Sequence, residues 1–327
     1  MINRRQFSIS AVTATLTGLP TLGMAQTLSK PVKIIVGFPP GGSADLIARA
    51  LSLQLGSYAS SIIVDNKAGA GGRIALEALK NSEADGTTMV VTPASMMVVY
   101  PHIFKKLSYD PLVDFAPVIT VASAQFVVAI GPMVPASVKN LADFLQWCRA
   151  NPKEANYGSS GAGSIPHFTG VALSNASGIP LTHVAYKGAA PALNDLLGGQ
   201  IAANVSVLSN ALPHIQSGKL RALAVSGASR SATLPNIPTL AEAGIKDVQA
   251  IEWFGVFLPA KTPADIVTKL NTAVREALKS KSLLESLAKS SFDAGAGEAA
   301  ADFARRVKAD HTRWGGIVKA SGFTPED

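Results

Sequence analysis

Short runs of β-branched and other apolar residues alternate along the chain with longer stretches in which apolar positions recur every three or four residues. The runs at 32–38, 62–65 and 89–92 read as strands, and helical spacing at 44–56 and 73–81 fills the gaps between them. A second series begins at 126–130 and continues through 155–157, 183–186, 203–207 and 222–225. Alternation of this kind predicts parallel sheets covered by helices on both faces. One further strand run, 253–258, precedes helical patterns at 263–280, 282–289 and 299–320. The first of these opens on Thr262-Pro263-Ala264-Asp265, with the cap, first-turn proline and acid of a helix start. These helices have no sheet of their own and are expected to pack back on the first series. The expected organisation is a discontinuous first domain (26–124 and 246–327) and a second domain (125–245), with crossovers near 121–127 and 228–250.

Length agrees, since 327 residues exceed the roughly 100–200 of an ordinary single domain. No run of eighteen apolar residues is present. Residues 1–25 read as a cleaved export signal: Arg4-Arg5 and Phe7 precede a mildly apolar stretch that ends in small residues at Gly23 and Ala25. The arginine pair resembles a twin-arginine signal, although general secretory signals carry such pairs too, and either route leads to the periplasm. Without that segment the chain holds 27 basic and 22 acidic side chains and no basic cluster, which argues against a nucleic-acid partner. Cys148 is the one cysteine, so no intramolecular disulfide can form. With Leu141, Phe144 and Leu145 it marks the apolar face of a helix, which makes it a buried thiol and not a nucleophile.

Candidate chemistry lies in loops that follow strands and open helices. They are Phe38-Pro39-Pro40-Gly41-Gly42-Ser43-Ala44-Asp45, Thr92-Pro93-Ala94-Ser95, Tyr157-Gly158-Ser159-Ser160-Gly161-Ala162-Gly163-Ser164 and Tyr186-Lys187-Gly188-Ala189-Ala190-Pro191. In open α/β sheets ligands sit beyond the carboxyl ends of the strands, where unpaired helix N–H groups favour an anion. Glycine admits the ligand close to the backbone, and serine adds a neutral donor. Hydrogen bonds to an ionised group contribute about 1.5–3 kcal/mol each. Four of them, against an association cost of about 4 kcal/mol or more, reach the roughly 8 kcal/mol of micromolar binding without an arginine. Asp45 falls in the first turn, where its charge opposes a bound carboxylate; orienting the loop is the role expected of it.

Other chemistry is unsupported. The sequence has no Walker loop and no GxGxxG spacing, and Ala162 stands where a hydrolase elbow needs glycine. The five histidines are scattered without metal-ligand spacing, though His167 follows a glycine-rich loop and has a donor to offer an anion. No cofactor, metal or catalytic residue is expected, and the chain reads as a receptor and not an enzyme.

Longer motifs carry a resemblance. Besides the first loop they include Asn66-Lys67-Ala68-Gly69-Ala70-Gly71-Gly72, Tyr109-Asp110-Pro111, Asp195-Leu196-Leu197-Gly198-Gly199-Gln200, Gly218-Lys219-Leu220-Arg221-Ala222-Leu223-Ala224-Val225 and Pro235-Asn236-Ile237-Pro238-Thr239. Together, across 30–323, they resemble the Bug family of substrate-binding proteins from tripartite tricarboxylate transporters. The resemblance implies a type II periplasmic-binding-protein fold, in which two α/β domains joined by hinge crossovers close on a small organic anion. The partners it implies are that anion and the integral membrane subunits of a transporter; a signalling partner would use the same cleft, and a monomer is expected. Carried over by position, the first-domain site is Phe38, Gly42, Ser43, Thr92 and Ser95, with Asp45 beside them. The second-domain site is Ser159, Ser160, Gly163, Ser164, His167 and Tyr186. Many members carry an acidic residue where this chain has Ser206. An ammonium group would lack its partner there, so the expected ligand is an amine-free acid, a di- or tricarboxylate or an aromatic acid.

Overall fold

A computed structural model describes residues 28–246 and 248–324. The export segment expected at 1–25 lies outside the described residues. The chain runs through β1 (Val32–Val36), α1 (Ser43–Ser52), β2 (Ile62–Asn66), α2 (Arg73–Lys80), β3 (Thr88–Pro93), α3 (Ala94–Val98), α4 (Tyr100–Ile103) and the long β4 (Phe115–Ile130). It continues through α5 (Leu141–Ala150), β5 (Asn156–Ser159), α6 (Ile165–Ser177), β6 (Thr182–Ala185), α7 (Ala189–Leu197), β7 (Ala203–Val207), α8 (Leu208–Gln216) and β8 (Arg221–Val225). It returns through β9 (Ile251–Pro259), α9 (Ala264–Ala277), α10 (Lys281–Lys289), β10 (Asp293–Ala294) and α11 (Ala300–Ala320). Each strand run read from the sequence holds a strand.

The strands are ordered β2-β1-β3-β9-β4-β7-β5-β6, with β8 and β10 also paired to β4. The expected parallel arrangement holds for β1 with β2 and β3, and for β5 with β6 and β7. It fails at β9, which runs antiparallel to both β3 and β4, and at β4, which runs antiparallel to β7 and β8 as well. The reason is the chain path: β4 leads out of the first half of the sheet, and β9 re-enters from the opposite end.

β4 belongs to both halves. Its residues from Phe115 to Gln125 pair with β9, and those from Phe126 to Ile130 pair with β7 and β8. At this hand-over the outgoing and returning chains are tied by one buried hydroxyl. Ser226 Oγ accepts from Phe126 N at 2.9 Å and donates to Ala250 O at 2.6 Å.

Local packing follows the apolar spacing. Ala44, Ile47, Ala48 and Leu51 bury one face of α1 against the sheet. On α5, Leu141, Phe144, Leu145 and Cys148 do the same. Burial pushes the Cys148 thiol up to about 12, so the reactive thiolate is suppressed. A thiol reagent at pH 8 is expected to label Cys148 at least a hundredfold more slowly in the native protein than in denaturant; equal rates would contradict this packing.

Candidate ligand-binding site

A cavity of about 400 Å³ lies between the two halves of the sheet. From the first half its wall takes Phe38, Gly42, Ser43, Ser95, Glu252 and Phe254. From the second it takes Ser160, Ser164, Lys187, Ser206, Ser209 and Asn210, with His214 further along α8. The wall therefore includes the start of α1, through Ser43 and Ala44, and of α8, through Ser209 and Asn210. The cap of α6, Ser164, and the start of α7, at Gly188 to Ala190, complete it. Each of these four helices is at least nine residues long, so each carries a developed positive end.

The two sides touch across the cleft. Ser43 Oγ lies 2.8 Å from Ser209 Oγ and donates to Asn210 Oδ1 at 3.0 Å. Ile165 N, at the start of α6, donates to Ser95 Oγ at 3.1 Å. A third contact is steric: Gly163 has φ +69, and a Cβ there would overlap Ile103 Cδ1 from α4. Only a residue without a side chain lets the 158–164 loop lie this close to the first half.

Asp45 is buried beneath the first loop and outside the cavity wall. Its Oδ2 accepts from Gly41 N and Arg49 Nε, each at 2.9 Å, and its Oδ1 accepts from Asn66 Nδ2 at 2.9 Å. Asn66 Nδ2 also donates to Phe38 O at 3.0 Å. Burial alone would raise the Asp45 pKa, but the hydrogen bonds from Arg49, Gly41 and Asn66 outweigh it and hold the pKa below the ordinary value. The aspartate thus organises the loop whose Gly42 and Ser43 face the cavity. Gly41, at φ +83, makes the turn possible.

Of the other expected site residues, Phe38, Gly42, Ser43, Ser95, Ser160, Ser164 and Ser206 line the cavity. Thr92, Ser159, Gly163, His167 and Tyr186 stand behind its wall. Thr92 Oγ1 contacts Met96 Sδ at 3.1 Å. Ser159 Oγ lies 2.7 Å from His183 Nε2, and Gly163 N donates to His167 Nδ1 at 3.0 Å. The two imidazoles stack with centroids 3.8 Å apart. Burial drives their pKa down, to about 4 for His167 and about 3 for His183, where the neighbouring His167 adds to the effect. Both rings are therefore neutral at physiological pH, and His167 supports the loop as an acceptor. Tyr186 OH donates to Asp195 at 2.8 Å. Ser206 is different: it is 2% exposed, and its Oγ has no hydrogen-bond partner among the described residues.

Sequence reasoning missed Ser209, Asn210 and Glu252. The first two follow β7 as the other loops follow their strands, so position would have found them. Glu252 is a lone acid at the head of an apolar strand run, and that mismatch was its signal. It is 3% exposed, and its two oxygens accept from Ser95 N and Ser95 Oγ, both at 3.1 Å. Burial pushes its pKa up to about 8, against the pull of the donors on Ser95 and Ala94.

The chain matches the model of the tripartite tricarboxylate transporter family receptor over residues 45–323. It belongs to that family. Protein BugT of Bordetella pertussis is 35% identical over 313 residues, covering 93% of this chain and 95% of BugT. An R. palustris protein solved with adipate is 33% identical with a TM-score of 0.86, covering 90% of this chain and 98% of that one. MatC from Rhodopseudomonas palustris, solved with bound malate, is 28% identical with a TM-score of 0.80, covering 88% and 98%. This family receptor has the two-domain α/β fold of periplasmic binding proteins. No helix among its described residues is long and apolar enough to cross a membrane.

Proposed function

We propose that this receptor works in the periplasm, captures a small organic carboxylate between its two domains, and presents the closed form to the membrane subunits of a tripartite tricarboxylate transporter. The observation that carries the reading is the convergence of four helix starts, from both halves of the sheet, on one cavity of about 400 Å³. Their unpaired N–H groups and dipoles favour a negative charge, and the wall adds Lys187 but, among the described residues, no arginine. The relatives solved with adipate and malate support the same ligand chemistry. The free hydroxyl of Ser206 is one donor such a ligand would engage.

Capture works by differential contact. Domains divided at 26–124 with 246–327, and at 125–245, would hinge where β4 changes partners and the chain returns past Ser226. An anion that touches both sides stabilises the closed form over the open one, and no bond is made or broken.

A thermal-shift screen of the purified protein against organic acids, with amino acids and sugars as controls, tests this. One acid class at a hundredfold excess over its Kd is expected to add about 2.7 kcal/mol of stability, a rise of several degrees. A shift with sugars alone, or with nothing, would sink the carboxylate reading.

A further inference from the structure

The two ends of the cavity differ in chemistry. The second half contributes Lys187, four of the six lining serines (Ser160, Ser164, Ser206 and Ser209) and three of the helix starts. The first half also contributes a floor of Phe38, Met96, Tyr100 and Phe254, with the Glu252 carboxyl set among them. That carboxyl has no lysine, arginine or histidine among its described hydrogen-bond partners. Its donors come from Ser95 and the Ala94 backbone, and Ser95 Oγ is itself held by Ile165 N from across the cleft. An acid is thus built into the wall and already uses the donors beside it.

A second carboxylate on the ligand, reaching this floor, would meet Glu252 with no cation to separate them. Two carboxyl groups in one desolvated site cannot both ionise, so a diacid enters only while one proton is held between its far carboxyl and Glu252, and is repelled once that proton is lost. An apolar group packs against the aromatic floor without that conflict, and a hydroxyl or ammonium group finds an acceptor.

We infer that Glu252 determines the ligand class: with Glu252 ionised, this receptor takes a monocarboxylate whose far end is apolar or carries a hydrogen-bond donor, and Glu252 excludes a second carboxylate. The inference rests on the carboxylate reading above. It departs from what the adipate and malate relatives bind, because it follows from this chain's own side chain.

The test is titration calorimetry at pH 9, where Glu252 is ionised, with matched pairs, hexanoate against adipate and benzoate against terephthalate, on the wild type, Glu252→Ser and Glu252→Gln. The wild type is expected to bind the monoacid of a pair at least tenfold more tightly than its diacid. Both variants should raise the diacid-to-monoacid affinity ratio at least tenfold, Glu252→Ser by freeing the Ser95 donors and Glu252→Gln by removing the charge while keeping the shape. A wild type that prefers the diacid, or a ratio unmoved in both variants, overturns the inference and leaves the carboxylate reading standing. If no acid binds any of the three proteins, the carboxylate reading fails and the inference falls with it.

Discussion

Replacing Asp45 with alanine is expected to cost about 3 kcal/mol of stability and to weaken ligand binding at least tenfold. The carboxylate serves three donors at once, and its removal leaves Gly41 N without an acceptor and the Asn66 amide and Arg49 each one short. Arg49 is half exposed and can rehydrate, so its share is small. Most of the loss comes from the two part-buried hydrogen bonds, from the Gly41 backbone and the Asn66 amide, and from the space the buried side chain leaves. Asp45→Asn keeps the shape but points an amide donor at other donors, and should recover less than half of the loss. Because the folded-state pKa of Asp45 lies below its ordinary 3.8, the contribution is present above that value and disappears as pH falls through the folded one. Urea unfolding at pH 7 should therefore separate wild type from Asp45→Asn, and unfolding near pH 3 should bring them closer. A difference under 1 kcal/mol at pH 7 would show that the loop is held by something other than this aspartate.

The same residue illustrates how much of the site was legible beforehand. An acid in the first turn of a helix that receives anions is a conflict, and resolving it as loop orientation agrees with the hydrogen bonds that Asp45 makes. The glycine- and serine-rich loops were recognisable because each follows a strand and opens a helix, a matter of position along the chain. Which side chain of a loop turns inward is a matter of local backbone geometry. Ser160 and Ser164 therefore reach the cavity while Ser159, next to them, hydrogen-bonds His183 behind it. The apolar pattern places this strand only from 126, whereas β4 begins at Phe115 and runs through Pro117. In the fold that stretch carries register shifts between Pro117 and Ile119 and between Thr120 and Ala122, and such irregularity accommodates a proline. The direction of β9 left no trace in its apolar pattern, since period and burial are the same for parallel and antiparallel neighbours. Glu252 was visible as a residue and invisible as a site, because only the fold brings the head of β9 beside Ser95.

Glu252→Gln should make the protein's stability less sensitive to pH between about 5 and 8. In the unfolded chain Glu252 ionises near 4.5, whereas burial in the fold pushes that up to about 8. Between these values the folded state holds a proton that the unfolded state has released. Wild-type stability therefore falls as pH rises, by about 1.4 kcal/mol per unit, and levels off above the folded value. The full effect is on the order of 5 kcal/mol, and glutamine, which cannot ionise, escapes it. At pH 5 the variant should be equal to or slightly weaker than wild type, because its amide cannot reproduce both contacts with Ser95. At pH 8.5 it should be the more stable by a few kcal/mol, a gain of several degrees in Tm. Parallel stability curves in urea at pH 5, 6.5 and 8.5 would mean that Glu252 finds a cation or water in solution, and would remove the reason for expecting it to repel a second carboxylate. Crossing curves would mean that this acid is held in the cavity against its own ionisation. Opening the cleft would then relieve that penalty by hydrating the carboxyl, so rising pH would favour the open receptor, and once Glu252 is ionised the ligand that closes it must leave this carboxyl unopposed.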